Sequence, residues 1–241
     1  MGILINFMRK LVAPSKKLLT NTYLLEYRYS GYPKKYFLDR FLELNRTYKI
    51  THPIYHYVPH ITIAGPIITN HEFKLIEVIK DIIFRNAPNF HEPGNLVGTG
   101  KYIKFDTDVG GKVLAIGVIP PKSLVNLKKE IYSNLNTIKN FKCQIYKKEI
   151  WHTTLWNMKR DTNSNKNKFQ HIWNNLKNSP QEMKFILDRI TLIKNAKILK
   201  EFDVVNLKIC SRTYSLNNNV RYESYLKIKS ELESKGEFFK Y

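Results

Sequence analysis

The chain has 241 residues and is strongly basic, with 40 Lys and Arg against 20 Asp and Glu and a formal net charge of +20. A content of 43% hydrophobic and 13% aromatic residues is enough for a substantial core, which excludes a disordered chain and indicates one large or two small globular domains. Its two cysteines, Cys143 and Cys210, are too few and too far apart for a disulfide framework or a zinc site.

The chain opens with a short amphipathic segment in which Leu4, Phe7, Met8 and Leu11 recur at helical spacing. Such a segment either packs on its own domain or docks on a membrane surface, and we expect packing. No apolar stretch approaches the ~20 residues that span a bilayer, and no signal-peptide pattern opens the chain. We therefore expect a cytoplasmic protein with an N-terminal extension over residues 1–21.

Strand-like and helix-like patterns then alternate. Short β-branched or aromatic runs between turn residues predict strands over residues 22–29, 58–64, 95–106, 113–119, 150–156, 184–193 and 201–207. Helical periodicity predicts helices over residues 34–45, 72–85, 123–135 and 168–177. We expect Gly65-Pro66 to end the second strand and Ser123 to cap the third helix.

The connections between the predicted strands decide the fold class. A Gly-rich turn over 108–112 joins the third and fourth strands as a hairpin, and the last two strands follow each other without a helix. This favours antiparallel sheets and an α+β fold over a doubly wound parallel sheet. The predicted domain covers residues 22–210, and residues 211–241 are predicted to form a C-terminal extension of a loop plus a charged helix.

Two of the predicted strands contain the same short motif, HITI at 60–63 and HTTL at 152–155. Alternate side chains of a strand share a face, so His60 lies beside Thr62 and His152 beside Thr154. If the strands are neighbours, two imidazoles and two hydroxyls surround one small volume. Imidazoles exchange protons near neutral pH and hydroxyls donate to phosphoryl oxygens, which suits phosphodiester cleavage. The alternative is that these are ordinary strand residues.

This pair of motifs resembles the two-histidine phosphoesterase superfamily, which includes 2',5'-RNA ligase-like proteins, 2',3'-cyclic phosphodiesterases and 2',5'-oligonucleotide phosphodiesterases. The resemblance covers residues 24–207. It implies a bilobal fold of two pseudo-symmetric halves, with two antiparallel sheets flanking a central cleft, helices outside and no metal or other cofactor. Trp156 departs from the family pattern, in which many members have a small residue and then Arg after the second motif.

Several other side chains near the motifs are candidates for substrate binding. Aromatic rings before the first motif, on the hairpin and after the second motif suit base stacking or a pocket wall, and cations after the second motif suit phosphate contacts. The alternatives are core packing for the rings and solvated loop charge for the cations. These candidates are Tyr57, Tyr102, Phe105, Trp156, Lys159 and Arg160.

The charge indicates an anionic partner, for which RNA, an oligonucleotide or a cyclic nucleotide is expected, although coding bias toward A and T also enriches Lys.

Three histidines, His52, His56 and His60, have a spacing that would suit metal ligands on a helix, but Pro53 and Pro59 argue against a helix there. No phosphate-binding loop or nucleophile elbow is present. We therefore predict a monomeric, metal-independent phosphodiesterase acting on a 2',5'-linked or cyclic phosphodiester. The alternative is a non-catalytic RNA- or nucleotide-binding protein on the same fold.

Overall fold

The computed structural model describes residues 21–50, 57–107, 111–144, 149–158, 163–176, 180–215 and 217–237. The strands in these ranges are β1 Thr22–Arg28, β2 His60–Ile68, β3 Val97–Asp106, β4 Lys112–Ile119, β5 Lys142–Cys143, β6 His152–Met158, β7 Lys184–Phe185, β8 Arg189–Lys194, β9 Lys197–Asp203 and β10 Lys208–Cys210. The α-helices are α1 Gly31–Tyr48, α2 Glu72–Asn86, α3 Lys122–Thr137, α4 Asn163–Asn175, α5 Arg212–Ser215 and α6 Asn218–Ser234, with a 3₁₀-helix at Ala87–His91.

The strands form two sheets in which every described pair is antiparallel. The six-stranded sheet has the order β10-β9-β8-β1-β2-β5, and the four-stranded sheet has the order β6-β4-β3-β7. The predicted hairpin is present as β3 and β4. The α+β fold class with two antiparallel sheets is therefore confirmed, and each sheet contains one of the two motif strands.

Helices cover the outer faces of both sheets. On the six-stranded sheet, Phe84 of α2 packs edge-on against Phe202 of β9, and α3 packs against β2 and β5. On the four-stranded sheet, α1 contacts β6, and Phe169 of α4 packs against Trp156. Buried side chains from both sheets and these helices form one continuous core, which holds the two motif strands in fixed positions.

The first motif strand is longer than predicted. β2 continues through Pro66 to Ile68, because pairing with β1 skips from Ala64 opposite Leu25 to Ile67 opposite Tyr23. Pro66, which lacks an N–H, lies in this bulge and costs no ladder hydrogen bond. Gly65 has φ of +126°, and a Cβ there would lie 2.9 Å from the Tyr23 carbonyl oxygen, so the bulge requires glycine.

Further details differ from the prediction. The predicted strand over 184–193 is two strands, β7 and β8, which belong to different sheets. Helix α3 begins after Pro121, whose carbonyl accepts from the backbone N–H groups of Leu124 and Val125, so Ser123 lies inside the first turn and is not the N-cap. The predicted strand over 201–207 ends at Asp203, because its carboxylate accepts the backbone N–H groups of Val205 and Asn206 and turns the chain.

The chain ends are described only in part. Helix α6 places the buried side chains of Ile228 and Leu232 against Leu96 and Ile186, in a small cluster of their own. The predicted N-terminal amphipathic segment lies outside the described residues. Across the described ranges, no helix combines the length and the apolar character that crossing a bilayer requires.

Candidate active site

The two motifs meet where the sheets adjoin. His60 is the first residue of β2 and His152 is the first residue of β6, and Cα atoms of these two strands approach within 8 Å. The strands belong to different sheets and to distant parts of the sequence, so the core of the molecule, and not local chain geometry, brings them together. We call the sheet faces that carry the motif His and Thr side chains the motif faces.

On the six-stranded sheet, the motif face is polar near the first motif. In the register of β1 and β2, His60 pairs with Arg28 and Thr62 pairs with Glu26, so these four side chains lie on one face. Ile61 lies on the opposite face and is fully buried in the core. The alternation predicted for the motif is thus confirmed, and it adds two charged residues of β1 to the site.

On the four-stranded sheet, the register of β6 and β4 pairs His152 with Gly117 and Thr154 with Ala115. The Phe105 ring packs edge-on against His152, with 4.8 Å between ring centroids. Thr153 lies on the opposite face and is fully buried. Of the aromatic candidates, Phe105 is therefore the one that the structure brings to a motif histidine.

Both imidazoles make the same backbone hydrogen bond. His60 Nδ1 lies 2.8 Å from the Val58 carbonyl oxygen, and His152 Nδ1 lies 2.9 Å from that of Ile150, each two residues before its histidine. A carbonyl only accepts, so Nδ1 is the donor and the neutral ring keeps its lone pair on Nε2. Each ring is thereby held in the tautomer that presents Nε2 as a proton acceptor.

The surroundings of His152 favour its neutral form. Burial lowers the pKa of His152, the carbonyl of Ile150 opposes this effect, and the charges of His60 and Lys128 lower the pKa further. An imidazole of this kind is neutral at pH 7 and able to accept a proton.

His60 has a different neighbour, a carboxylate. Its Nε2 lies 3.7 Å from Oε1 of Glu26, while Glu26 Oε2 accepts a 3.1 Å hydrogen bond from Arg28 Nε. The Glu26 side chain is only 7% exposed, against 35% for His60. Sequence reasoning missed Glu26 and Arg28. They are the only charged residues in the strand TYLLEYR, and their spacing of two residues places them on one face.

Lys128 of α3 is a third residue that sequence reasoning missed. Its ammonium group lies 4.6 Å from the centroid of a Trp151 ring and 3.1 Å from Oε1 of Glu149. These contacts hold a cation near the second motif, where it lowers the pKa of His152. Nothing in the sequence distinguishes this lysine from the many others on the helices.

Neither Tyr57 nor Tyr102 has a ring contact with a motif histidine among the described residues. The Tyr57 hydroxyl donates to the Thr154 carbonyl oxygen at 2.9 Å, and its ring stacks on Phe41. This contact links Tyr57 to the backbone of β6. Tyr102 of β3 lies opposite Ile116 of β4, which in turn lies opposite Thr153 of β6, so Tyr102 is on the face away from His152. Burial raises the pKa of its hydroxyl, which lies beside Arg40 of α1.

Trp156 was expected to share the face of Thr154, and the structure corrects this. Thr154 pairs with Ala115 and Trp156 with the adjacent Leu114, so a bulge in β6 turns Trp156 to the opposite face. There it is buried against Phe169. After the bulge, the exposed Asn157 is the residue of β6 on the motif face.

The remaining candidates are not described. Lys159 and Arg160 lie outside the described residues, as do His52 and His56. Among the residues that the structure does describe, no group of three or more His, Cys, Asp and Glu side chains is arranged to hold a metal ion.

Fold and site together define an α+β protein in which two antiparallel sheets each supply a His-x-Thr strand to one shared site. No family model matches the sequence, and no curated protein is similar to it.

Among solved structures, the chain is similar to one described as a phosphoesterase, with 12% identity and a TM-score of 0.41 over 76% of this chain and 98% of that chain. It is also similar to Usb1 of Kluyveromyces marxianus with uridine monophosphate, with 9% identity and a TM-score of 0.42 over 76% and 98%. A further Usb1 structure from that organism has 10% identity and a TM-score of 0.43 over 76% and 97%.

Proposed function

We propose that this protein is a metal-independent phosphodiesterase that uses His60 and His152 as its acid and base. The observation that supports this most directly is the matched geometry of the two imidazoles. Each begins a strand of a different sheet, each donates Nδ1–H to the carbonyl two residues back, and each keeps Nε2 for proton exchange. An acid and a base on opposite sides of one phosphorus are what cleavage of a phosphodiester requires.

The unequal surroundings of the rings support one division of the two roles. His152, neutral because of its burial and the nearby cations, takes the proton of the attacking hydroxyl through Nε2. His60, which lies beside the Glu26 carboxylate, is the acid that gives a proton to the leaving oxygen. The hydroxyls of Thr62 and Thr154 donate hydrogen bonds to the non-bridging oxygens, whose negative charge grows in the transition state. In the reverse reaction the two histidines exchange roles.

We further propose that the substrate is a 2',5'-linked or cyclic phosphodiester in RNA or in a linear or cyclic oligonucleotide. The net charge of +20 favours an anionic partner of this kind. Phe105, half-buried beside His152, offers an aromatic surface where a base next to the reacting phosphate would lie.

The test is turnover with EDTA present, using 2',5'-linked oligoadenylate, a nucleoside 2',3'-cyclic phosphate and a cyclic dinucleotide as substrates. We expect cleavage of at least one, and a loss of about 10²–10⁴-fold in each of His60→Ala and His152→Ala. His171→Ala, which changes an exposed histidine of α4, is the matched control and should keep full activity. Substantial turnover in either motif variant contradicts the assignment.

The charge also supports a second candidate, a non-catalytic RNA-binding protein. In that case no substrate of the set is cleaved, and RNA binding weakens steeply with salt because counterions are released. Binding by electrostatics alone would survive both His60→Ala and His152→Ala. The enzyme and the binding protein are thus distinguished by one set of variants.

A further inference from the structure

The charged pair of β1 is the part of the motif face that the proposed chemistry leaves without a role. Glu26 and Arg28 are the only charged residues of a strand that is otherwise mainly apolar and aromatic. In the register of β1 with β2, Glu26 lies across from Thr62 and Arg28 lies across from His60. Side chains paired in this way have Cβ atoms about 4.5–5.5 Å apart, so both charges are next to the catalytic groups.

The buried carboxylate fixes the orientation of the arginine. Glu26 is 7% exposed and Arg28 is 24% exposed, and Glu26 Oε2 accepts from Nε of Arg28 at 3.1 Å. The guanidinium is planar, so a hydrogen bond at Nε sets the direction of the whole group and leaves the N–H donors of its two terminal nitrogens for other partners. A guanidinium held in this way is pre-organised to bind an anion.

A carboxylate beside His60 would repel a phosphate group unless a cation compensates for it. The two motif threonines are neutral donors, so the compensating cation is Arg28, whose Nε donates to Glu26. Among the described residues, Lys128 is a further cation near His152, and it is paired with Glu149. Arg28 is the one that shares a strand pair with a catalytic histidine.

We propose that Arg28, oriented by Glu26, binds a non-bridging oxygen of the substrate phosphoryl group. This inference rests on the proposed function, since it takes the motif faces to be a phosphodiester site. Charge-assisted hydrogen bonds from a guanidinium match the geometry of phosphoryl oxygens and strengthen as their charge increases in the transition state. A lysine at position 28 would supply the charge without the planar fork.

The experiment measures binding of inorganic phosphate by ³¹P NMR titration, together with kcat and KM for any substrate that the wild-type protein cleaves. The main variant is Glu26→Gln with Arg28→Gln, which removes both charges and leaves no buried carboxylate unpaired. We expect phosphate affinity to fall about 10- to 100-fold and kcat to fall with it. Arg28→Lys, which preserves the charge, provides a second measurement and should also bind phosphate more weakly.

The matched control is Arg85→Gln with Glu130→Gln, an ion pair between α2 and α3, which should bind phosphate as the wild type does. The inference is overturned if the charge-free variant or Arg28→Lys binds phosphate as tightly as the wild type, or if the wild type binds none. Turnover that is independent of Arg28 overturns the inference and leaves the proposed function intact. Phosphate binding that depends on Arg28, without turnover of any substrate, supports the inference and contradicts the proposed function.

Discussion

His60 and His152 make the same backbone hydrogen bond, but different groups surround their rings. His152 is packed against Phe105, and the charges of His60 and Lys128 lower its pKa. His60 is more exposed and lies beside Glu26. Paired titratable groups whose environments differ in this way are typical of acid–base catalysis, because one must hold a proton while the other accepts one. At the residue scale, the asymmetry between two otherwise equivalent motifs supports the proposed direction of proton transfer.

This asymmetry predicts how activity depends on pH. Burial first, and then the neighbouring positive charges, lower the pKa of His152, so the base remains neutral at pH values where an ordinary histidine is already protonated. We expect the acid limb of the kcat/KM profile to lie below about pH 6.5, where a histidine in water titrates. Lys128→Met removes a positive charge, raises the pKa of His152 and should move this limb to higher pH.

Lys129→Met is the control for Lys128→Met, since it removes an exposed charge one residue further along the same helix. Its pH profile should match that of the wild-type protein. A limb that does not move in Lys128→Met, or that moves to lower pH, contradicts the assignment of His152 as the base.

At the scale of elements, two tyrosine hydroxyls from the first half of the chain form hydrogen bonds with the second motif strand. Tyr29, directly after β1, is hydrogen-bonded to the Thr153 hydroxyl at 2.5 Å, and Tyr57, just before β2, donates to the Thr154 carbonyl. Thr153 lies on the face away from the site, so its contact with Tyr29 holds the strand from behind. These bonds set the position of β6 relative to β2 and so the separation of the two imidazoles.

Loss of the Tyr29 hydroxyl should therefore destabilise the protein. Both partners are fully buried, so Tyr29→Phe leaves the Thr153 hydroxyl without this bond, and we expect the free energy of unfolding to fall by about 1–3 kcal/mol. In a double-mutant cycle by urea denaturation, Thr153→Val should cost much less in the Tyr29→Phe background than in the wild type. Tyr222→Phe, at an exposed site on α6, is the control and should have little effect. Additive effects of the two changes contradict the coupling.

At the scale of the whole molecule, the C-terminal helix is attached to the body by a small apolar cluster. Ile228 and Leu232 of α6 are almost fully buried against Leu96 at the start of the hairpin and Ile186 between β7 and β8. The sequence predicts a domain that ends near residue 210 and a C-terminal extension beyond it. This division of the chain stays a prediction. These contacts favour a helix that unfolds together with the two sheets.

Truncating this cluster measures that coupling. We expect Leu232→Ala to lower the free energy of unfolding by about 2–5 kcal/mol in a single transition, because it leaves a cavity at a fully buried site. Leu226→Ala on the same helix removes a side chain that is 43% exposed and should cost much less. Equal costs for the two variants, or a separate early transition in Leu232→Ala, would mean that the helix is an independent extension.

The sequence alone was sufficient for three of the helices, the hairpin and the two motifs. Helical periodicity located α1 to α3 to within a few residues, because each buries one apolar face, and the spacing of His and Thr placed each pair on one strand face. Turn residues predicted the β3–β4 hairpin, so the antiparallel fold class followed from local signals as well.

Only the tertiary structure decided which further side chains share the site. The register of β1 with β2 places Glu26 and Arg28 at the site, and the packing of α3 places Lys128 near it. A bulge in β6 turns Trp156 to the opposite face of the sheet. Register, bulges and helix packing depend on the fit between segments far apart in the chain, so no local pattern encodes them. The same reason explains why the motifs suggested a pair of histidines, while the unequal surroundings of the two rings are visible only in the folded molecule.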